Sequence, residues 1–151
     1  MFSGFLILQL IVFGQLTGCA SVPKPALVKA NFTANSNVNP DAKGRSSPVV
    51  VHYFELKSLS AFNAADFFSL AERGRETLGA DLVASEAVLL KPGATLALDR
   101  TVDPAVTHIG LVAAFRDLER AEWRVSFPVP SQRTSKLTIR LDDRRISINS
   151  N

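Results

Sequence analysis

The chain has 151 residues, 46% of them hydrophobic and 21% charged, and a net charge of +3. Its single cysteine excludes an intramolecular disulfide. The charges alternate in sign, as in Arg116-Asp117, Glu119-Arg120 and Asp142-Asp143-Arg144-Arg145. A nucleic-acid binder would instead carry a one-sign basic stripe interleaved with aromatics.

The chain opens on an apolar run, Phe5-Leu6-Ile7-Leu8 through Ile11-Val12-Phe13, with no charged residue from Met1 to Cys19. The run ends in Leu16-Thr17-Gly18-Cys19. It is shorter than the about 20 apolar residues of a spanning helix. Small residues before a thiol let a peptidase close on the backbone, and the thiol can take a diacylglycerol as a thioether. The pattern resembles a lipobox, the processing site of bacterial lipoproteins. It implies a signal peptide over residues 1–18 and acylation of Cys19, followed by a Pro-containing tether over 19–26. Each buried methylene contributes about 0.8 kcal/mol, so several acyl chains would anchor the protein permanently. Ala20, rather than Asp, follows Cys19, which for such lipoproteins implies the outer membrane. About 130 residues remain, enough for one ordinary domain over 27–151.

Val28, Ala30, Phe32 and Ala34 alternate with polar residues, the period of a half-buried strand. Residues 35–48 are rich in Asn, Ser, Gly and Pro and read as a long loop. The next segment, from Val49 to Leu56, carries apolar groups on both faces and predicts a strand covered on both sides. A helix follows, with Asn63 as N-cap, Phe62 and Phe67 as a hydrophobic staple and Gly74 as the stop. Its Phe67-Phe68 pair is expected to pack on the sheet. A polar linker is expected over residues 75–81.

Further strands are predicted around Val83–Leu90, Thr95–Leu98, Ile109–Phe115, Trp123–Val129, Leu137–Leu141 and Ile146–Ile148. Pro92-Gly93 fits the centre of a type II turn. With about eight strands and one helical insertion, the fold class is mainly β: a two-sheet antiparallel β-sandwich.

No constellation for catalysis is visible. His52 lies mid-strand and His108 at a strand start. No metal-ligand spacing, nucleophile elbow or glycine-rich phosphate loop occurs in the sequence. The residues point to a binding or scaffolding protein rather than an enzyme, with no metal or other cofactor beyond the lipid on Cys19.

Four stretches in order resemble the TssJ (SciN/VasD) family, the outer-membrane lipoproteins of type VI secretion systems. They are the Leu16-to-Cys19 motif; Ser47-Pro48-Val49-Val50-Val51 leading to Tyr53-Phe54-Glu55-Leu56-Lys57; Ala65-Asp66-Phe67-Phe68-Ser69-Leu70; and Leu78-Gly79-Ala80-Asp81-Leu82 with Lys91-Pro92-Gly93. The run containing Ala113-Ala114-Phe115-Arg116-Asp117 fits as well. The resemblance implies a transthyretin-like sandwich on the periplasmic face of the outer membrane. It implies binding to the periplasmic C-terminal domain of the inner-membrane protein TssM, and indirectly to TssL, with no nucleic acid and no small-molecule substrate. The family's partner-binding loop falls here on residues 37–46, with Asn39, Pro40, Asp41, Ala42, Lys43, Gly44 and Arg45 as candidate contacts. Asp41, Lys43 and Arg45 can offer charge-assisted hydrogen bonds. An alternative is a lipoprotein sandwich that binds peptidoglycan or another glycan. It would need exposed aromatics, and Tyr53 and Trp123 are the non-Phe candidates. A hydrolase built around His52 or His108 ranks last.

Overall fold

The computed structural model describes residues 24–150. Eight strands are present: β1 (Ala26–Ala34), β2 (Val49–Leu56), β3 (Leu82–Leu90), β4 (Thr95–Val102), β5 (His108–Ala113), β6 (Arg124–Pro128), β7 (Thr134–Leu141) and β8 (Ile146–Ser150). They form two four-stranded sheets, ordered β4-β1-β7-β8 and β3-β2-β5-β6. The sandwich expected from the alternating strands is therefore present. One pair departs from the antiparallel expectation: β1 runs parallel to β7. The two are far apart in sequence, and the period-two signal carries no strand direction.

The alternation in β1 buries Ala26, Val28, Ala30, Phe32 and Ala34 between the sheets. Ala26, assigned by composition to the tether, is thus the first residue of the strand. Val49, Val51 and Tyr53 of β2 point into the same core. Phe54 and Leu56 enter a second, smaller core beneath the helices. The double-faced pattern of β2 reflects these two layers. The turn after β3 has Gly93 at φ +75° and the Ala94 N–H on the Lys91 carbonyl at 3.0 Å, as a Pro-Gly type II turn requires.

The helical insertion differs from its sequence reading. There are two helices, α1 (Ser60–Ala64) and α2 (Phe67–Leu78). Asn63 lies inside α1 and caps nothing. The N-cap of α2 is Asp66, whose Oδ1 accepts the Ser69 N–H at 2.9 Å and Oδ2 the Ser69 hydroxyl at 2.7 Å. Those bonds hold its carboxyl below the ordinary carboxylate range. Phe67 is consequently the first residue of α2 and not the far side of a staple. Gly74 sits inside α2 because the helix passes over Phe54; a Cβ there would lie 2.9 Å from the ring. The stop is Gly79, at φ +51° with its N–H on the Arg75 carbonyl. Residues 75–78 are therefore helical, not linker.

Phe67 and Phe68 do not pack as a pair on the sheet. Phe67 meets Trp123 edge-on at 5.5 Å, and Phe68 is 59% exposed. The residues driven into the sheet are Phe62 and Leu70, each contributing about 1.5–3 kcal/mol by burial. Gly110 of β5 admits Phe62: a Cβ there would stand 2.7 Å from its ring.

The strand directions set two poles. β1 rises about 26 Å, at roughly 3.3 Å per residue, from Ala26 to Ala34. Residues 35–48, 91–94, 114–123 and 142–145 collect at the far end, tied by Gly93 N–H to Asn35 O and Asn39 N–H to Asp143 O. Lys24, Ala26, Val106 and Gln132 lie together at the near end, where the chain enters from residue 23. Among the described residues no helix is long and apolar enough to cross a membrane.

Candidate partner-binding site

The loop from β1 to β2 has a fixed base. Val38 is fully buried, and its carbonyl accepts the Ser47 N–H at 3.2 Å. Asn39, only 3% exposed, adopts φ +50°, a conformation that Asn tolerates better than most residues. Its Nδ2 donates to the Pro48 carbonyl at 2.8 Å and its Oδ1 accepts the Arg116 N–H at 2.8 Å. The backbone of Asn39 donates to Asp143. Asn39 thus joins the loop to two other segments at this pole, to Arg116 by its side chain and to Asp143 by its backbone.

The tip orders itself around Asp41. Its Oδ1 accepts the N–H groups of Lys43 at 2.8 Å and Arg45 at 2.9 Å. Its Oδ2 takes the Arg45 guanidinium, with Nε at 2.8 Å and Nη2 at 2.7 Å. The Gly44 N–H returns to the Asp41 carbonyl, and Gly44 takes φ +75°. These bonds to Arg45 and Lys43 hold the Asp41 carboxyl below its ordinary value. Ala42, Lys43, Gly44 and Arg45 remain exposed. Of the seven candidate contacts, Asn39 is buried, Asp41 has both oxygens engaged within the loop, Pro40 is half-buried, and the other four face solvent.

Beside the tip lies a groove of about 540 Å³, open to solvent, whose other wall is Arg116, Asp117, Arg120 and Arg144. The Arg144 Nε donates to Asp117 at 2.9 Å and its Nη1 to Asp143 at 2.6 Å. Arg120 approaches Asp117 at 3.7 Å. The sequence showed these residues as neutralised clusters and gave no reason to connect them with residues 40–42. They meet the loop because β5 and β7 both end at the pole where β1 ends, an arrangement that appears only in the strand pairing.

The other candidates are structural in their surroundings. His52 is half-buried, stacks on Phe54 at 6.2 Å, and burial lowers its pKa. The His108 Nδ1 lies 2.7 Å from the Thr107 hydroxyl, which donates to the Lys57 carbonyl. Tyr53 is buried, and desolvation pushes its pKa far upward. Trp123 is half-buried, covered by the Arg124 guanidinium 4.8 Å from the ring and by Phe67. Cys19 lies outside the described residues, and no cluster of metal-binding residues occurs among those described.

Residues 26–144 match the T6SS-SciN family model, described as type VI secretion lipoprotein, VasD, EvfM and TssJ. The chain belongs to this family. It is similar to the T6SS lipoprotein TssJ1 of Pseudomonas aeruginosa at 42% identity and TM-score 0.82, covering 84% of this chain and 97% of that one. It is similar to Lip of Serratia marcescens, described as a membrane-bound component of the type VI secretion system, at 25% identity and TM-score 0.76, covering 82% and 96%. A chain of a structure described as a type VI membrane complex matches at 25% identity and TM-score 0.73, covering 85% and 99%. One from a structure described as the TssM C-terminal domain (869-1107) from EAEC matches at 25% identity and TM-score 0.69, covering 82% and 97%. No curated protein matches in sequence.

Proposed function

We propose that the protein is held at the periplasmic face of the outer membrane by acyl chains on Cys19, after removal of residues 1–18. Residues 19–25 tether the domain. It acts as a scaffold, without catalysis, by binding the periplasmic C-terminal domain of TssM and through it TssL. The observation that carries this reading is the two-pole arrangement. The chain leaves the tether at one end of β1, and the ordered loop of residues 39–45 stands about 26 Å away at the other. An acylated Cys19 therefore turns the loop away from the anchoring membrane, toward a partner rooted across the periplasm. The likeness to chains from a type VI membrane complex and from a TssM C-terminal domain structure supports the same partner.

Within the loop, the roles divide by geometry. Pro40, Ala42, Lys43, Gly44 and Arg45 supply contact surface. Asn39 and Asp41 position that surface. The test is incorporation of a palmitate analogue and membrane fractionation in a bacterium carrying the secretion system, with co-purification of TssM. The wild-type chain is expected in the outer-membrane fraction with TssM, and Cys19→Ser unlabelled and released from it. Label on Cys19→Ser, or a wild-type chain that leaves TssM behind, contradicts the reading.

A further inference from the structure

The groove at the loop pole carries an unbalanced charge. It has three arginines and two aspartates in its lining. Both oxygens of Asp41 are engaged by Lys43 and Arg45. Asp117 is engaged by Arg144 and Arg120. Arg116 is left over: among the described residues no carboxylate comes within ion-pair range of its guanidinium. Its side chain is exposed. Its backbone, however, is fixed, because the Arg116 N–H is held by the buried side chain of Asn39. A cation on a held backbone, at the mouth of a groove whose own carboxylates are already occupied, is arranged for a carboxylate from outside.

We propose that this groove, between the loop tip and residues 116–120, docks an acidic segment of the protein partner, with Arg116 receiving a carboxylate. This rests on the partner-binding reading above. Arg is suited to the role because its planar fork accepts a carboxylate bidentately. On the opposite wall Pro40 and Ala42 flank Asp41, whose two oxygens are already taken by Lys43 and Arg45 and which feels Arg116 only at longer range. An anionic lipid surface is the less suitable occupant, because the groove lies at the pole opposite Lys24 and the tether.

The test uses the mature acylated chain in neutral detergent micelles, labelled with nitrogen-15 arginine. Three partners are titrated separately: hexaglutamate, phosphatidylglycerol vesicles, and the TssM periplasmic C-terminal domain of the same bacterium. With hexaglutamate the Arg116 Nε–H signal shifts saturably, and Arg133 at the other pole does not. The shift is lost in 500 mM salt, where the Debye length falls below about 5 Å. Arg116→Gln, altered at an exposed side chain, keeps the wild-type Tm but binds hexaglutamate about tenfold or more weakly. Equal binding by Arg116→Gln, or a response to vesicles alone, overturns the proposal. With the TssM domain, Arg116→Glu binds at least about tenfold more weakly. Undiminished binding by that variant overturns the acidic-segment proposal and leaves the scaffold role standing. A hexaglutamate response without any binding of the TssM domain does the reverse.

Discussion

The side-chain oxygen of Asn39 accepts the backbone N–H of Arg116 at 2.8 Å, joining positions 77 residues apart in the chain. This bond sets the loop tip against the arginine wall and makes one surface from two segments. Asn39→Ala leaves two part-buried backbone groups, the Pro48 carbonyl and the Arg116 N–H, without their partner and puts a residue with no side-chain compensation at φ +50°. A destabilisation of about 2 kcal/mol follows, at about 1 kcal/mol for each part-buried group, the low end of the cost of an orphaned polar group. Urea unfolding measures it, and hydrogen exchange locates it: the Arg116 amide loses protection before the β5 amides do.

Asp41 sets the pH response of the tip. Its carboxyl is held below the ordinary 3.8 by hydrogen bonds from Arg45 and Lys43. A depressed folded-state pKa stabilises the tip above the unfolded value and loses that contribution as pH falls through the lowered pKa. The Lys43 and Arg45 amides are therefore protected at pH 5 and above and become mobile as pH falls below 3.8. In Asp41→Asn they are mobile across the range. Amide relaxation as a function of pH reads this directly.

Arg124 holds the helices to the sheet. Its Nη1 donates to the carbonyls of Phe62 at 2.8 Å, Asn63 at 3.1 Å and Ala65 at 3.0 Å, which end α1. A cation placed on the last carbonyls of a helix satisfies groups that have no partner of their own. Arg124→Ala should cost about 1.5–3 kcal/mol. Arg124→Lys should recover less than half of it, because an ammonium does not stack on Trp123 and Phe62 as the flat guanidinium does. Trp123, with the guanidinium 4.8 Å from its ring, reports the change by near-UV circular dichroism.

Gly110 is fixed by its neighbour across the layer. A Cβ there would lie 2.7 and 2.9 Å from the Phe62 ring and 3.0 Å from Leu56. Gly110→Ala should destabilise by about 1–3 kcal/mol through overpacking. The double variant Gly110→Ala with Phe62→Leu should cost less than the two single changes added, because the smaller side chain admits the methyl. Thermal unfolding of the four proteins supplies the cycle.

The sandwich was legible because its strands bury one face against the other sheet: Val28, Ala30 and Phe32, or Leu137, Ile139 and Leu141, alternate without interruption. The double burial of β2 was legible for the same reason. The helices were not, because several residues suit the same role. Asn63 and Asp66 are both good caps, and only the Ser69 N–H and hydroxyl decide for Asp66. Gly74 and Gly79 are both plausible stops, and the choice depends on Phe54, which is remote in sequence. The loop was legible as a loop. Its ordering by Asp41, and the arginine wall opposite, depend on contacts across the pole that no local pattern contains.

The exposed loop tip is expected to bind TssM. The most direct measurement is calorimetric titration of the mature protein with the TssM periplasmic C-terminal domain, beside the double variant Ala42→Arg with Lys43→Glu. Both positions are exposed, and neither side chain has a hydrogen-bond partner among the described residues. Saturable binding by the wild type is expected, with a loss of about tenfold or more in the variant, roughly 1.4 kcal/mol or greater, at unchanged Tm. Equal affinity of the two proteins, or no binding by the wild type, would contradict this expectation.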